Sequence, residues 1–443
     1  MREKDDEMPK RDYNNVLIPG SLQGFKDVPI NASHEASRIH TYDPENAITP
    51  GNPITFRCPG TDHETFYLPD TELYMRLRIV RADGGLMQQA DDGLVCFDSL
   101  PLSTLFKTVH LYLNDQQVVM FPDNYAYKGY FDAQYGMTVS SEVLVRNMGW
   151  NPLPVAEFAA NNEHIVARAR VSNRSRIYEV IGRPNLEFLS SRLELLPGVT
   201  MRFVFFPHSD AFCLLQGANT AYKCVITECS LKLRKNAITD DFRSAIQSSL
   251  AVEPWKYHTQ QAMIKIENIP TGSTQFSRSD IFAHRVPSKI ILELIRNTAY
   301  AGTRNQSALF SDPNHIRSVS IQKDGVNYPN LREIRIDIES QNEPRVLECY
   351  QTLTDVSDRG FQTENALCLK PEHLGQGRWA WGCDLTKFRN RDGSMVRNVD
   401  MGNCSLRMTF SQGTQHPLEV VVYALFDTTL TIDNKRDVFQ SYA

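Results

Sequence analysis

The 443-residue sequence lacks the features of several protein classes. Its formal net charge is only −5, from 47 basic and 52 acidic residues, whereas proteins that depend on phosphate contacts are usually basic. No apolar run, including the one at 420–426, approaches the roughly 20 residues of a membrane-spanning helix. The charged residues 1–7 do not resemble a signal peptide. We therefore expect a soluble protein that is not dedicated to DNA binding.

Cysteine is present but shows no pairing pattern. The nine cysteines are odd in number and dispersed, and only Cys224 and Cys229 lie close together in the sequence. Such a set is typical of reduced, buried thiols in an intracellular protein. We expect neither disulfide bonds nor a zinc site.

Motifs of common catalytic and cofactor sites are absent as well. The sequence has no Walker A pattern, no Gly-x-Gly-x-x-Gly, no His-Glu-x-x-His and no Gly-x-Ser-x-Gly. The eleven histidines are dispersed, and no pair has the spacing of metal ligands. We predict no enzyme, no catalytic residues, no cofactor and no metal. Acidic residues are frequent enough that a chance pair of carboxylates in a cleft is left open.

What the sequence does contain is many short segments in which apolar and polar residues alternate. Residues 72–80 and 333–339 are the clearest examples. A period of two predicts half-buried antiparallel strands. The side chains that we predict to hold the core are Leu73, Leu77, Ile79, Val109, Leu111, Ile334, Ile336 and Ile338.

Helices are few in this pattern. Thr239 is a suitable N-cap for a helix that carries Phe242, Ile246 and Leu250 on one face. A second, shorter helix is indicated within 127–135. The remaining strand-rich sequence is therefore divided in two by the helix after Thr239.

The length and the strand density together predict the fold class. The chain is long enough for two large β domains, and about eight strands with long loops in each half match a jelly roll. We predict an all-β protein with two eight-stranded antiparallel β-sandwiches and a few short helices. The predicted parts are an N-terminal arm at 1–52, a first jelly roll at 53–238, a helical connector at 239–257, a second jelly roll at 258–432 and a C-terminal tail at 433–443.

A resemblance to a known family takes the interpretation further. The segments that carry it are 73–84, 102–114, 125–130, 195–203, 212–214, 269–273, 281–282, 286–287, 321–329, 420–427 and 432–438. In this order they resemble blocks of the major capsid proteins of Polinton (Maverick) elements and adintovirus-like viruses. No single block is specific, and the ordered set is what carries the resemblance. One block departs from the family, because 305–310 stands where the family often has Asn-Pro-Phe.

The resemblance implies a hexon-type double jelly roll, with the two jelly rolls standing side by side. It implies a homotrimeric capsomer of pseudo-hexagonal outline that tiles an icosahedral shell around double-stranded DNA. The implied partners are further copies of the chain, penton and minor capsid proteins, and packaged DNA through indirect contact. The implied location is the virion capsid, after assembly inside the host cell.

On this interpretation some aromatic residues and both termini are candidates for contacts. Tyr125, Tyr127 and Tyr130 are expected to pack between the jelly rolls or between subunits, and packing in a core is an equal alternative. The arm at 1–52 and the tail at 433–443 are expected to tie neighbouring capsomers, for example by adding strands to exposed sheet edges.

A basic cluster near the end of the second sandwich is a candidate for facing nucleic acid or an acidic neighbour. Acidic residues flank the cluster, and a solvated loop is the favoured interpretation. Its members are Lys387, Arg389, Arg391 and Arg397.

Two alternatives to a capsid protein are kept. One is a two-domain jelly-roll hydrolase, which requires carboxylates or metal ligands gathered in one cleft. The other is a glycan-binding protein, which requires exposed aromatic residues, with Trp379 and Trp381 as the candidate pair.

Overall fold

A computed structural model describes eleven segments of the chain. They are 33–120, 124–136, 141–151, 155–217, 221–312, 315–329, 331–338, 345–357, 369–375, 377–386 and 400–441. No helix in these segments is long and apolar enough to cross a membrane.

In the described segments, ten strands belong to the first half of the fold and twelve to the second. The first ten are β1 His34–Tyr42, β2 Ile54–Cys58, β3 Glu64–Arg81, β4 Val95–Phe97, β5 Phe106–Leu113, β6 Gln116–Met120, β7 Tyr178–Gly182, β8 Met201–Pro207, β9 Leu214–Gln216 and β10 Tyr222–Ile238. The others are β11 Trp255–Ile269, β12 Gln275–Arg278, β13 Arg285–Val286, β14 Lys289–Arg296, β15 Ile316–Lys323, β16 Val326–Tyr328, β17 Ile334–Arg335, β18 Trp381–Asp384, β19 Asp400–Met401, β20 Cys404–Phe410, β21 Leu418–Ile432 and β22 Val438–Ser441.

Short α-helices fill the connections between strands. They are α1 Pro101–Thr104, α2 Tyr125–Gly136, α3 Glu142–Asn147, α4 Glu163–Ala169, α5 Asp210–Cys213, α6 Asp240–Leu250, α7 Asn297–Tyr300 and α8 Leu347–Val356. Both predicted helices are present, α2 over the tyrosine-rich segment and α6 after Thr239. The Thr239 hydroxyl caps α6 by accepting a hydrogen bond from the Phe242 amide.

Each half of the chain forms a jelly roll, and the two have the same topology. In the first, a sheet of order β1-β10-β3-β7 and a sheet of order β2-β8-β5-β6 enclose the core, and β4 pairs with β9. In the second, the orders are β11-β21-β14-β18 and β12-β20-β15-β16, and β22, β17 and the pair β13-β19 are additions. Matched in chain order, the eight principal strands of each half have equivalent neighbours. The predicted fold class, two eight-stranded jelly rolls, is therefore confirmed.

Alternation along the strands places the predicted core residues inside. Leu73 lies opposite Leu231 in the β3–β10 ladder, and both are buried. The strand predicted at 333–339 pairs with β15 over only the two residues of β17, although inward and outward residues still alternate there. Of the predicted core set, Ile338 is half-buried and the others are buried, namely Leu73, Leu77, Ile79, Val109, Leu111, Ile334 and Ile336.

The ends of the two jelly rolls differ from the predicted boundaries. The strand β1 lies inside the predicted arm at 1–52, yet it pairs with β10 along its length. The strand β22 lies inside the predicted tail and pairs with β21. Residues 1–32 are outside the described residues. Periodicity could not locate β1, because this edge strand is largely exposed on both faces and has no apolar side.

The cluster of aromatic rings in the first core provides a test of this packing. Phe205 on β8 is fully buried, with its ring centroid 4.9 Å from that of Phe106 and 6.0 Å from that of Phe56. We expect Phe205→Ala to lower the free energy of unfolding by about 3–5 kcal/mol, measured by urea denaturation. Val252→Ala is the control, since Val252 is 87% exposed, and its effect should stay within about 0.5 kcal/mol. Equal effects of the two substitutions would contradict this packing.

Candidate functional site at the joint between the jelly rolls

The two jelly rolls meet around α2. This helix lies between β6 and β7 of the first jelly roll, but its side chains contact the second. Phe131 stacks on Tyr423 of β21, with the ring centroids 5.2 Å apart. Tyr127 stacks on Tyr300 of α7 at 6.0 Å and donates a hydrogen bond to the carbonyl of Ala308, 3.1 Å away. We call the region formed by α2, β14, β21 and residues 300–308 the joint.

The three predicted contact tyrosines all lie on α2 and are buried. Tyr127 reaches the second jelly roll directly. The hydroxyl of Tyr125 accepts a hydrogen bond from the Asn185 amide, 3.0 Å away, and this contact stays within the first jelly roll. The Tyr130 ring packs against Trp150, with the centroids 5.8 Å apart. The structure therefore places Tyr127 between the two rolls, whereas Asn185 and Trp150, the partners of Tyr125 and Tyr130, belong to the first roll.

A buried lysine and two carboxylates hold one side of the joint. The Lys128 side chain is 3% exposed and its ammonium contacts Asp132, one turn along α2, and Glu187 at 2.6 Å. Tyr423 of the second jelly roll donates to the other oxygen of Asp132 at 3.0 Å. Burial alone would lower the pKa of Lys128, but the two carboxylates outweigh it and raise the pKa overall. Burial raises the pKa of Glu187 although Lys128 acts in the opposite direction.

A second polar contact lies at the segment 300–308. Asp98 is buried in the first jelly roll and accepts a hydrogen bond of 2.6 Å from the Ser307 hydroxyl of the second. Its other oxygen is 3.4 Å from Arg168 of α4. Burial raises the pKa of Asp98 in spite of this nearby guanidinium. The Asp98 carboxylate therefore contacts both Ser307 of the second roll and Arg168 of α4.

The far end of the second jelly roll also bonds to the first. The Arg436 guanidinium donates to the carbonyl of Pro197 at 2.8 Å, and the Asn114 amide donates to the carbonyl of Arg436 at 3.0 Å. The hydroxyl of Tyr257 on β11 donates to the carbonyl of Glu194 at 3.0 Å. The two jelly rolls are therefore bonded to each other here as well as at the joint.

A buried acid lies at the centre of the joint. Glu293 of β14 is fully buried, and one of its oxygens accepts a hydrogen bond from the Tyr135 hydroxyl of α2. The Gln134 side-chain amide donates to the same Tyr135 hydroxyl at 2.8 Å. Burial raises the pKa of Glu293 to about 8, while Tyr135 and Arg378 act in the opposite direction.

An open cleft of about 1000 Å³ lies beside the joint and is lined by both jelly rolls. Lys128, Glu187 and Tyr423 contribute to it, and so do the exposed apolar residues Ile39 and Leu144. In the cleft, the Lys128 ammonium and a Glu187 carboxylate oxygen form an ion pair of 2.6 Å. Within the described segments, no three or more His, Cys, Asp or Glu residues are grouped as metal ligands.

Of the basic cluster and the tryptophan pair that were predicted as possible binding surfaces, the structure describes only the tryptophan pair. The basic cluster Lys387, Arg389, Arg391 and Arg397 lies outside the described residues. Trp379 and Trp381 are fully buried, so they form no exposed aromatic surface for a glycan.

The sequence did not indicate the charged residues of the joint. Asp98, Lys128, Glu187 and Glu293 belong to residue types that are normally exposed. The spacing of Lys128 and Asp132 on a tyrosine-rich helix was a usable signal, since residues four apart share a helix face. The other partners are distant in sequence and had no such signal.

Sequence comparisons find one distant relative. No protein-family model matches the chain. An uncharacterised protein of Caenorhabditis elegans is 20% identical over 418 residues, which cover 90% of this chain and 96% of the nematode protein.

Structure comparisons find viral capsid proteins. A chain of the Sputnik virophage structure determined by cryo-EM has a TM-score of 0.56 at 13% identity, and the match covers 100% of this chain and 93% of that one. The mavirus major capsid protein has a TM-score of 0.54 at 11% identity, covering 96% and 95%. The Faustovirus major capsid protein has a TM-score of 0.55 at 9% identity, covering 94% and 93%. The chain thus shares the double jelly-roll fold of these proteins.

Removing the lysine of the joint tests its charge balance. We expect Lys128→Met to lower the free energy of unfolding by about 3–5 kcal/mol at pH 7, because Asp132 and Glu187 lose their shared cation. The loss should be smaller at pH 5, since protonation of one carboxylate relieves the repulsion. Urea denaturation at the two pH values measures both effects.

Two further variants complete this test. The double variant Lys128→Met with Glu187→Gln should regain a large part of the lost stability. Lys370→Met is the exposed control, since the Lys370 side chain is 67% exposed. A loss that neither depends on pH nor recovers in the double variant would show that Lys128 acts only through packing.

Proposed function

We propose that this chain is a major capsid protein that assembles as a homotrimeric capsomer and tiles an icosahedral shell around double-stranded DNA. The observation that carries the proposal is the likeness of the whole chain to viral capsid proteins, with both jelly rolls included in the match. The ordered sequence blocks between about 66 and 438 support the finer assignment to the Polinton and adintovirus-like group.

The joint supports the proposal on physical grounds. Three chains with two equivalent jelly rolls each present six similar units around a threefold axis, which gives a pseudo-hexagonal outline. Such a capsomer packs regularly only if the angle between the two rolls is fixed. The stacked rings of α2, the Lys128 cluster and the Asp98 bonds supply that fixed angle.

The proposed partners follow from this assembly. They are other copies of the chain, first in the trimer and then in the shell, with penton and minor capsid proteins at special positions. The proposed location is the virion capsid after assembly within the host cell. Contact with packaged DNA would be indirect and local, because the chain as a whole is slightly acidic.

A jelly-roll hydrolase and a glycan-binding protein are the weaker candidates. In the cleft Lys128 and Glu187 are paired with each other, and the described segments hold no cluster of potential metal ligands. The tryptophans that a glycan groove would require are buried.

The solution mass of the purified chain tests the proposal. We expect light scattering to give about three times 50.5 kDa at micromolar concentration, because obligate trimers bury large interfaces. Negative-stain images of the same fraction should show roughly hexagonal particles. A chain that stays monomeric under these conditions would reject the capsomer.

The N-terminal segment provides a separate test of shell formation. Deletion of 1–32 removes no described strand, since β1 begins at His34. We therefore expect the shortened chain to keep its thermal stability and its trimeric mass but to form fewer shells than the full chain. Electron microscopy of both chains, assembled in parallel, measures the difference. Equal shell yields would show that residues 1–32 do not connect capsomers.

A further inference from the structure

The hydrogen bonds of Glu293 leave one carboxyl oxygen unpaired. Oε1 accepts from the Tyr135 hydroxyl and, at 3.5 Å, from the Gln134 side-chain amide. Oε2 is buried and has no hydrogen-bond partner among the described residues. A bare carboxylate oxygen that is buried is costly, so this oxygen requires an explanation.

The Gln134 side chain also has an unpaired oxygen. Its amide nitrogen donates to Tyr135 and Glu293, while its own oxygen Oε1 is buried and, in the described part of the chain, accepts no hydrogen bond. In the cluster of Gln134, Tyr135 and Glu293, the N–H and O–H groups therefore donate hydrogen bonds. Two acceptor oxygens, Oε1 of Gln134 and Oε2 of Glu293, remain unpaired among the described residues. A proton on Oε2 of Glu293 converts one of these acceptors into the missing donor.

The surrounding charges do not replace that proton. Arg378 lies over the Trp150 ring, 5.3 Å from its centroid. Its buried Nη2 and Oε2 of Glu293 both have no hydrogen-bond partner among the described residues, so the two groups are not bonded through these atoms. The other titratable groups that α2 brings to this region are Tyr127, Lys128, Tyr130, Asp132 and Tyr135, of which Lys128 and Asp132 are paired with each other. Neighbouring elements add Asp98, Lys289, Cys349, Cys383, Glu419 and Tyr423. Burial raises the pKa of each of these tyrosines and cysteines, so they are neutral near pH 7.

We propose that Glu293 holds a proton in the folded protein at neutral pH and that this proton makes the joint sensitive to pH. The neutral acid bonds α2 to β14 without a buried charge. Loss of the proton places an anion between the two jelly rolls and weakens their contact. The proposal concerns the folded chain itself and does not depend on the capsid function.

The sign of the effect follows from the two states of the chain. Burial raises the pKa of Glu293 from the ordinary 4.5 to about 8 in the folded state. Between pH 4.5 and 8 the folded chain therefore holds one more proton at this position than the unfolded chain. The contribution of Glu293 to the free energy of unfolding is largest below pH 4.5. It decreases as the pH rises from 4.5 to 8 and no longer changes above pH 8.

The variant Glu293→Gln tests the proposal, because an amide closely replaces the neutral acid and cannot titrate. Unfolding constants of the two proteins are compared by urea denaturation at pH 5, 6, 7, 8 and 9. We expect the ratio of wild-type to variant unfolding constants to rise about tenfold per pH unit up to pH 8 and then to level off. Other titrating groups are the same in both proteins and cancel in this ratio.

Glu163→Gln is the matched control, because the Glu163 side chain is 89% exposed. The ratio of the wild-type unfolding constant to that of Glu163→Gln should be constant from pH 6 to 9. A constant ratio for Glu293→Gln over the same range would overturn the proposal, since Glu293 would then be ionised throughout. A Glu293→Gln variant that fails to fold at every pH would also overturn it, because an amide would then be a poor substitute for the group present.

Discussion

The insertion of α2 between the two jelly rolls is the contact on which the rest of the structure depends. The helix is anchored in the first roll by Tyr125 and presents Tyr127 and Phe131 to the second. Each aromatic pair contributes about 0.5–1.5 kcal/mol beyond the area that it buries. Because these contacts lie on one short helix, the position of α2 sets the relative position of the two rolls.

Buried charged residues also influence how the two rolls are arranged at this contact. Lys128 meets two carboxylates and Asp98 meets Arg168, and each cluster includes a hydroxyl from the second roll, Tyr423 or Ser307. Buried ion pairs often contribute no more stability than apolar residues of the same volume, because desolvation offsets their attraction. A displaced joint would remove the Tyr423 hydroxyl from Asp132 and the Ser307 hydroxyl from Asp98, and buried carboxylate oxygens that lose a donor are unfavourable. We therefore expect the polar clusters to select one arrangement of the rolls.

The two rolls have the same topology, but equivalent strands are buried to different extents. In the first roll, β3 alternates between buried and partly exposed residues, as a sheet with one covered face does. The equivalent strand β14 of the second roll is buried at every residue from 289 to 295. The helices α2 and α8 cover its second face. One roll thus supplies a helix and the other receives it, which accounts for an acid such as Glu293 lying at the centre of a strand.

Local patterns in the sequence determined the clearly alternating strands such as the one at 72–80, the helix after Thr239, the tyrosine-rich helix and the inward stripe of Leu73, Leu77 and Ile79. These features depend on a period of two or on neighbouring residues, and both can be read from a short segment. The tertiary structure alone decided the place of β1, whose exposed edge has no apolar period, and the partners within the joint. Tyr135 and Glu293 are 158 residues apart, and Asp98 and Ser307 are 209 apart. Such pairs meet because the topology brings them together, and no local pattern records a contact of that range.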